Sequence, residues 1–212
     1  MAISLQLQNL HCEKGNQRLF SSVDCVLNAS ELLHVAGENG SGKTTLLRIL
    51  AGLNRDYSGD VLWNGENIRQ QWSAYAQDIL FLGHQPALKA QLTARENLQW
   101  YARCADATNQ QIDSALSELG LRNKSDIPCH QLSAGQQRRT VLARLMFSTH
   151  KLWLLDEPFT AIDAKGFAPI LQCLRLHLER GGIVVMTTHH GMEKIDIPHS
   201  TLLLGEAIPG DA

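Results

Sequence analysis

The sequence predicts an α/β fold, a mostly parallel sheet covered by helices and interrupted by an all-helical lobe. Four short apolar runs end in glycine or polar residues: LLHVAG (Leu32–Gly37), ILFLG (Ile79–Gly83), LWLLDE (Leu152–Glu157) and IVVMTT (Ile183–Thr188). Unbroken apolar strands of this kind are buried on both faces, as in a parallel sheet between helices. The first run enters a glycine-rich loop and then KTTLLRILAG, whose apolar residues recur at helical spacing. From about Leu92 to Ser148 the patterns are helical, which predicts the inserted lobe.

Each element has its own signal. MAISLQLQNL alternates like a half-buried strand, and Gly52 stands where a helix C-terminal stop is expected. TARE (Thr93–Glu96) and TNQQ (Thr108–Gln111) fit the capping box, in which residue and helix amide cap each other. The second of these helices carries an apolar stripe, Ile112, Ala115, Leu116 and Leu119, and Gly120 closes it. In LSAGQQRR, Ser133 lies three residues before Gln136, a capped start for a helix beginning near Ala134. At 212 residues the chain is one domain, 1–212, with the helical lobe at about 92–148.

Nineteen basic residues against 21 acidic ones, with no basic block, argue against a nucleic-acid partner. No apolar stretch approaches the ~18–20 residues that span a bilayer, and no signal peptide opens the chain, so a cytosolic location is expected. The five cysteines (Cys12, Cys25, Cys104, Cys129, Cys173) form no CxxC pair and are expected as free thiols. GEAIPGDA reads as a loose tail.

In GENGSGKT (Gly37, Glu38, Asn39, Gly40, Ser41, Gly42, Lys43, Thr44) the glycines let several backbone N–H groups point at one phosphate chain. Lys43 supplies a point charge to the outer phosphates, and the Thr44 hydroxyl can ligate Mg2+. The preceding strand and following helix are the context this motif requires, so the chain is expected to bind a nucleoside triphosphate. LWLLDEP places Asp156 and Glu157 at a buried strand's end, where sheet ligands bind. Asp156 would hold Mg2+ through water, and Glu157 would accept a proton from an attacking water. A strand ending in solvated acids is the plain alternative, and no other strand offers the phosphate loop so good a partner. His189 follows another strand end and could donate to a γ-phosphate, although spacing alone reads equally well as a structural histidine. Gln85 also follows a strand, which by itself means little. The Ser133 end could attract an anion or be simply a well-capped helix.

In this order the motifs resemble the ATP-binding cassette (ABC) family over essentially the whole chain. GENGSGKT is similar to its Walker A motif, LWLLDEP to Walker B, LSAGQ to the signature, FTAID to the D-loop, and Gln85 and His189 fall at the Q- and H-loop positions. The resemblance implies a P-loop NTPase core with a small antiparallel β region beside the parallel sheet, ATP and Mg2+, and two cassettes packed head to tail as a homodimer. It assigns Glu157 as general base, His189 to the γ-phosphate, and Gln85 to Mg2+ and the attacking water. Thr45 joins the phosphate loop, Ser133, Gly135 and Gln136 serve the nucleotide of the other protomer, and Asp163 in the D-loop would join them at that nucleotide and communicate across the dimer. Integral membrane permease subunits are the implied partners. Two positions depart from the family. The aromatic that usually stacks on adenine should fall near Cys12–Lys14, where HCEKGNQRLF has none, and Ala134 replaces a commoner glycine.

LGHQPALKAQLTARENL, QLSAGQQRR and LWLLDEPFTAID most resemble one branch of the family, the ATPase subunits of bacterial haem exporters in cytochrome c maturation. That implies a peripheral subunit on the cytoplasmic face of the bacterial inner membrane, acting indirectly on a periplasmic haem chaperone. Other readings are an ABC subunit with different cargo or a soluble, non-transport ABC protein. The second usually joins two cassettes in one chain or adds long coiled coils. A small kinase with a phosphate loop would leave LSAGQ unexplained.

Overall fold

A computed structural model describes residues 3–15, 17–103, 105–188 and 192–205. It divides into two compact units, one made of Met1–Phe81, His150–Asp156 and Leu178–Ala212, the other of Leu82–Thr149 and Glu157–His177.

The first unit opens with strands β1 (Ser4–Lys14) and β2 (Gln17–Asn28), paired antiparallel. β3 (Leu32–Gly37) leads through the glycine loop into helix α1 (Lys43–Leu50). Next come β4 (Ser58–Trp63), β5 (Glu66–Asn67), α2 (Trp72–Asp78) and β6 (Ile79–Leu82). After the second unit's residues the chain returns as β7 (Leu152–Asp156), β8 (Ile183–Thr187) and β9 (Ser200–Leu204). The strands make two sheets, β2-β1-β4-β5 and β6-β7-β8-β3-β9. The first is antiparallel throughout, and in the second β8 pairs parallel with both β3 and β7, as β9 does with β3.

The four apolar runs are therefore all strands of the parallel sheet, within a residue of the expected ends. Every residue of β7 and β8 is buried, as continuous apolar strands require. Leu46, Leu47, Ile49 and Leu50 of α1 are fully buried, and α1 packs on β3, β7 and β8. Such burial stabilises the unit by about 1.5–3 kcal/mol per side chain. The Tyr75 hydroxyl on α2 donates to the Leu50 carbonyl at 2.6 Å, which ties α2 to the end of α1. Strand order β7-β8-β3 sets the carboxyl ends of all three side by side, where ligands of such sheets bind.

The second unit contains α3 (Ala94–Ala102), α4 (Asn109–Glu118), α5 (Ala134–Leu142) and most of α6 (Ala164–Glu179). The three expected caps are all reciprocal capping boxes: Thr93 with Glu96, Thr108 with Gln111, Ser133 with Gln136. The α4 stripe Ile112, Ala115, Leu116 and Leu119 is buried. Asn97, 2 % exposed, donates to the carbonyls of Lys89, Leu92 and Thr93 and accepts from the Lys89 amide, which pins the approach to α3. Cys12, Cys25 and Cys129 are free thiols, and Cys104 lies outside the described residues. Residues 206–212 of the expected tail lie outside the described residues.

Candidate nucleotide site

In the first unit the glycine loop joins β3 to α1. The residue before α1, Gly42, has φ +95°, a left-handed conformation that glycine adopts without strain. A Cβ there would also lie 2.9 Å from the Phe20 ring. Gly42 supplies no side-chain cap to the first amides of α1, so they can serve an anion. Glu38, Asn39 and Gly40 are exposed around the mouth of the loop. Lys43 is only 7 % exposed, and its Nζ donates to the carbonyls of Gly37 and Glu38, both at 2.8 Å. Ser41 Oγ is buried without a hydrogen-bond partner among the described residues, a deficit a phosphate oxygen would meet.

Asp156 ends β7 and is 2 % exposed. The Thr44 hydroxyl donates to its Oδ2 at 3.0 Å and the Thr187 hydroxyl to its Oδ1 at 2.8 Å. Thr187 is the register partner of Asp156 across β7 and β8. The Thr44 and Asp156 oxygens are hard donors of the type Mg2+ takes, together with waters and phosphate oxygens, so the residues fit that ion.

A cavity of about 630 Å³ opens beside Thr44 and Thr45, with Lys14, Leu19, Arg48 and Leu53 among its other walls. Among the described residues no aromatic lines it. Phe20 and Tyr57 line the adjoining cavity instead, where the Arg69 guanidinium lies 3.9 Å from the Tyr57 ring centre. Cys12 lines both cavities; burial first, then Asp56 and Glu13, pushes its thiol up, so it stays protonated.

In the second unit Glu157 opens the segment after β7 with φ +54°, an uncommon conformation for a non-glycine residue. Its Oε2 accepts from the Thr160 hydroxyl at 3.0 Å, and its main-chain carbonyl accepts from Arg138 Nη2 at 2.7 Å. Gln85 is exposed in the loop after β6. Ser133 and Ala134 are exposed at the start of α5, with the Ser133 amide donating to Gln136 Oε1 at 2.9 Å and the Gln136 amide to Ser133 Oγ at 3.3 Å. The extra methyl of Ala134 thus sits in open surroundings. Gly135 is tighter, since a Cβ there would come within 2.9 Å of the Ala161 carbonyl. Asp163 Oδ1 accepts from the Gly166 amide at 3.0 Å, capping α6, and lies 3.7 Å from Arg139. His189 lies outside the described residues.

Hydrogen bonds thus join Lys43 to its own loop and Thr44 to Asp156, while Glu157 is held by Thr160. Sequence reasoning missed Thr187, Thr160 and Arg138. The first has a readable signal, since it ends the strand whose register meets Asp156. The other two depend on chain folding that no spacing announces.

A profile of the ABC transporter family matches residues 20–160. The "Cytochrome c biogenesis ATP-binding export protein CcmA" of Escherichia coli O6:H1 is 50 % identical over 185 residues, covering 87 % of this chain and 88 % of that protein. The protein of the same name from Escherichia coli K12 is 49 % identical over the same shares of both chains. Among solved structures, an "ATP binding subunit of ABC transporter" superposes with a TM-score of 0.81 at 21 % identity, covering 94 % of this chain and 85 % of its own. An ATP-binding protein from Pyrococcus furiosus superposes with 0.79 at 21 % identity, covering 95 % and 97 %. At that identity the structures speak for the fold alone.

Proposed function

Since the chain belongs to the ABC transporter family, we propose that it is the ATP-hydrolysing subunit of a bacterial haem exporter in cytochrome c maturation, powering release of a haem-loaded periplasmic chaperone. The observation that carries this reading is the 50 % identity, sustained over 87 % of the chain, to a cytochrome c biogenesis export ATPase.

ATP places its phosphates in the loop Gly37–Thr45, on the first amides of α1 and against Lys43. Thr44, Gln85 and Asp156 would hold Mg2+, which would supply positive charge beside the outer phosphates. Glu157 accepts the proton of the attacking water, and Thr160 orients its carboxylate. His189 donates to the γ-phosphate. Two chains close head to tail, so that Ser133, Gly135, Gln136 and Asp163 of one protomer meet the ATP of the other. The exposed start of α5 supports that role. ATP favours the closed dimer, and its loss on hydrolysis lets the protomers part.

No helix among the described residues is long and apolar enough to cross a membrane. The work of closure passes instead to integral membrane permease subunits gripped near Gln85, at the cytoplasmic face of the inner membrane. The test is a strain carrying only the Glu157→Gln variant. Haem staining of its membranes is expected to show loss of c-type cytochromes, with haem stranded on its periplasmic chaperone. Normal c-type cytochromes in that strain would overturn the assignment.

A further inference from the structure

Arg138 is a charged side chain that neither the phosphate loop nor the capped end of α5 requires. It sits on α5 only 4 % exposed, among Thr140, Val141 and Leu142, which are also buried. Its guanidinium reaches two stretches of main chain far apart in sequence. Nη1 donates to the Gly83 carbonyl at 2.8 Å and to the His84 carbonyl at 3.5 Å. Nη2 donates to the Glu157 carbonyl at 2.7 Å. Gly83 and His84 immediately precede Gln85, and Glu157 stands in a left-handed conformation that a non-glycine residue keeps only when its surroundings hold it.

We propose that Arg138 is a positioning residue for hydrolysis, its planar fork holding Glu157 in that conformation and fixing the start of the loop that carries Gln85. The inference rests on Glu157 being the general base. An arginine suits the task because its donors lie in one rigid plane and address two carbonyls at fixed separation, whereas a lysine ammonium is a point charge on a flexible stem. Losing the fork frees the Glu157 backbone to relax, and the carboxylate moves with it. A displacement of about 1 Å at a reacting group costs on the order of 100-fold in rate.

The experiment compares Arg138→Met, Arg138→Lys, Glu157→Gln and the double variant Arg138→Met/Glu157→Gln, each as the full chain in the membrane complex with which it purifies. Steady-state ATPase kinetics are read beside equilibrium binding of a fluorescent ATP analogue. Arg138→Met is expected to lower kcat on the order of 100-fold with KM and nucleotide affinity within about twofold of the parent, and Arg138→Lys to recover part of the loss. In the Glu157→Gln background the arginine change is expected to cost less than it does in the parent, because its share through Glu157 is already lost. A parental kcat in Arg138→Met or Arg138→Lys overturns the proposal, as does a loss shared equally by KM, or a loss that adds in full to that of Glu157→Gln. If Arg138→Met fails to fold, Arg138→Lys decides by the same split of kcat from KM. Parental turnover in Glu157→Gln sinks the general-base reading instead, and a kcat loss in Arg138→Met then assigns the effect to the Gln85 loop.

Discussion

Replacing Thr187 with valine removes one hydroxyl from the buried end of β8 and leaves the side-chain volume nearly unchanged. Valine is also β-branched, so the strand loses nothing in conformational preference. What goes is the 2.8 Å hydrogen bond to Oδ1 of Asp156, a carboxylate 2 % exposed whose register partner is Thr187 itself. A hydrogen bond to a charged acceptor is worth about 1.5–3 kcal/mol, and water cannot easily replace the donor at full burial. For a chain of this length about 2 kcal/mol lowers Tm by about 4–8 °C. Thr44→Val removes the other hydroxyl on Asp156, but Thr44 is exposed. Its loss should leave nucleotide-free stability within about 0.5 kcal/mol and strike Mg2+-dependent turnover instead. The assay is thermal unfolding by circular dichroism without nucleotide, beside ATPase activity at saturating Mg2+. The reasoning fails if Thr187→Val melts within about 1 °C of the parent, or if both variants lose the same stability.

Two further outcomes follow from the site. In a cavity walled by Lys14, Arg48, Leu19 and Leu53, with no aromatic among the described residues, ATP and GTP should bind within about fivefold of each other, and Lys14→Tyr should tighten ATP by about 0.5–1.5 kcal/mol. Titration with both nucleotides checks this, and a hundredfold preference for ATP in the parent would refute it. Glu157→Gln should bind ATP, hydrolyse it only slowly, and elute as a dimer on size exclusion with Mg2+ and ATP. Elution as a monomer at saturating ATP would count against head-to-tail closure.

The parallel sheet was legible because each of its buried strands is a local apolar run, and β3, β7 and β8 end within a residue of where those runs stop. The capping boxes were legible for the same reason, since Thr93 and Glu96 meet within one helical turn. The antiparallel sheet was not read from the residues; only the family resemblance implied it. Its strands are half exposed, and pairings such as Leu5 with Trp63 join segments far apart in sequence. The site divides the same way. Lys43 and Thr44 follow from one contiguous loop, but Thr187 meets Asp156 only through the register of two strands. Arg138 needs α5 folded against both Gly83 and Glu157 before its burial makes sense. A charged residue in QQRR reads as solvated surface until those carbonyls are in place.

Lys43 offers three N–H bonds, and two of them already end on the carbonyls of Gly37 and Glu38. Its long stem is therefore ordered before any nucleotide arrives. Freezing a free lysine costs about 1.5–2 kcal/mol in rotamer entropy, and here that loss belongs to folding rather than to binding. The loop also keeps its arch between rounds, because the ammonium bridges it from within. One hydrogen remains to face a phosphate. Arginine at 43 carries a planar fork in place of this tripod and cannot clasp two adjacent carbonyls and a third oxygen from a single nitrogen.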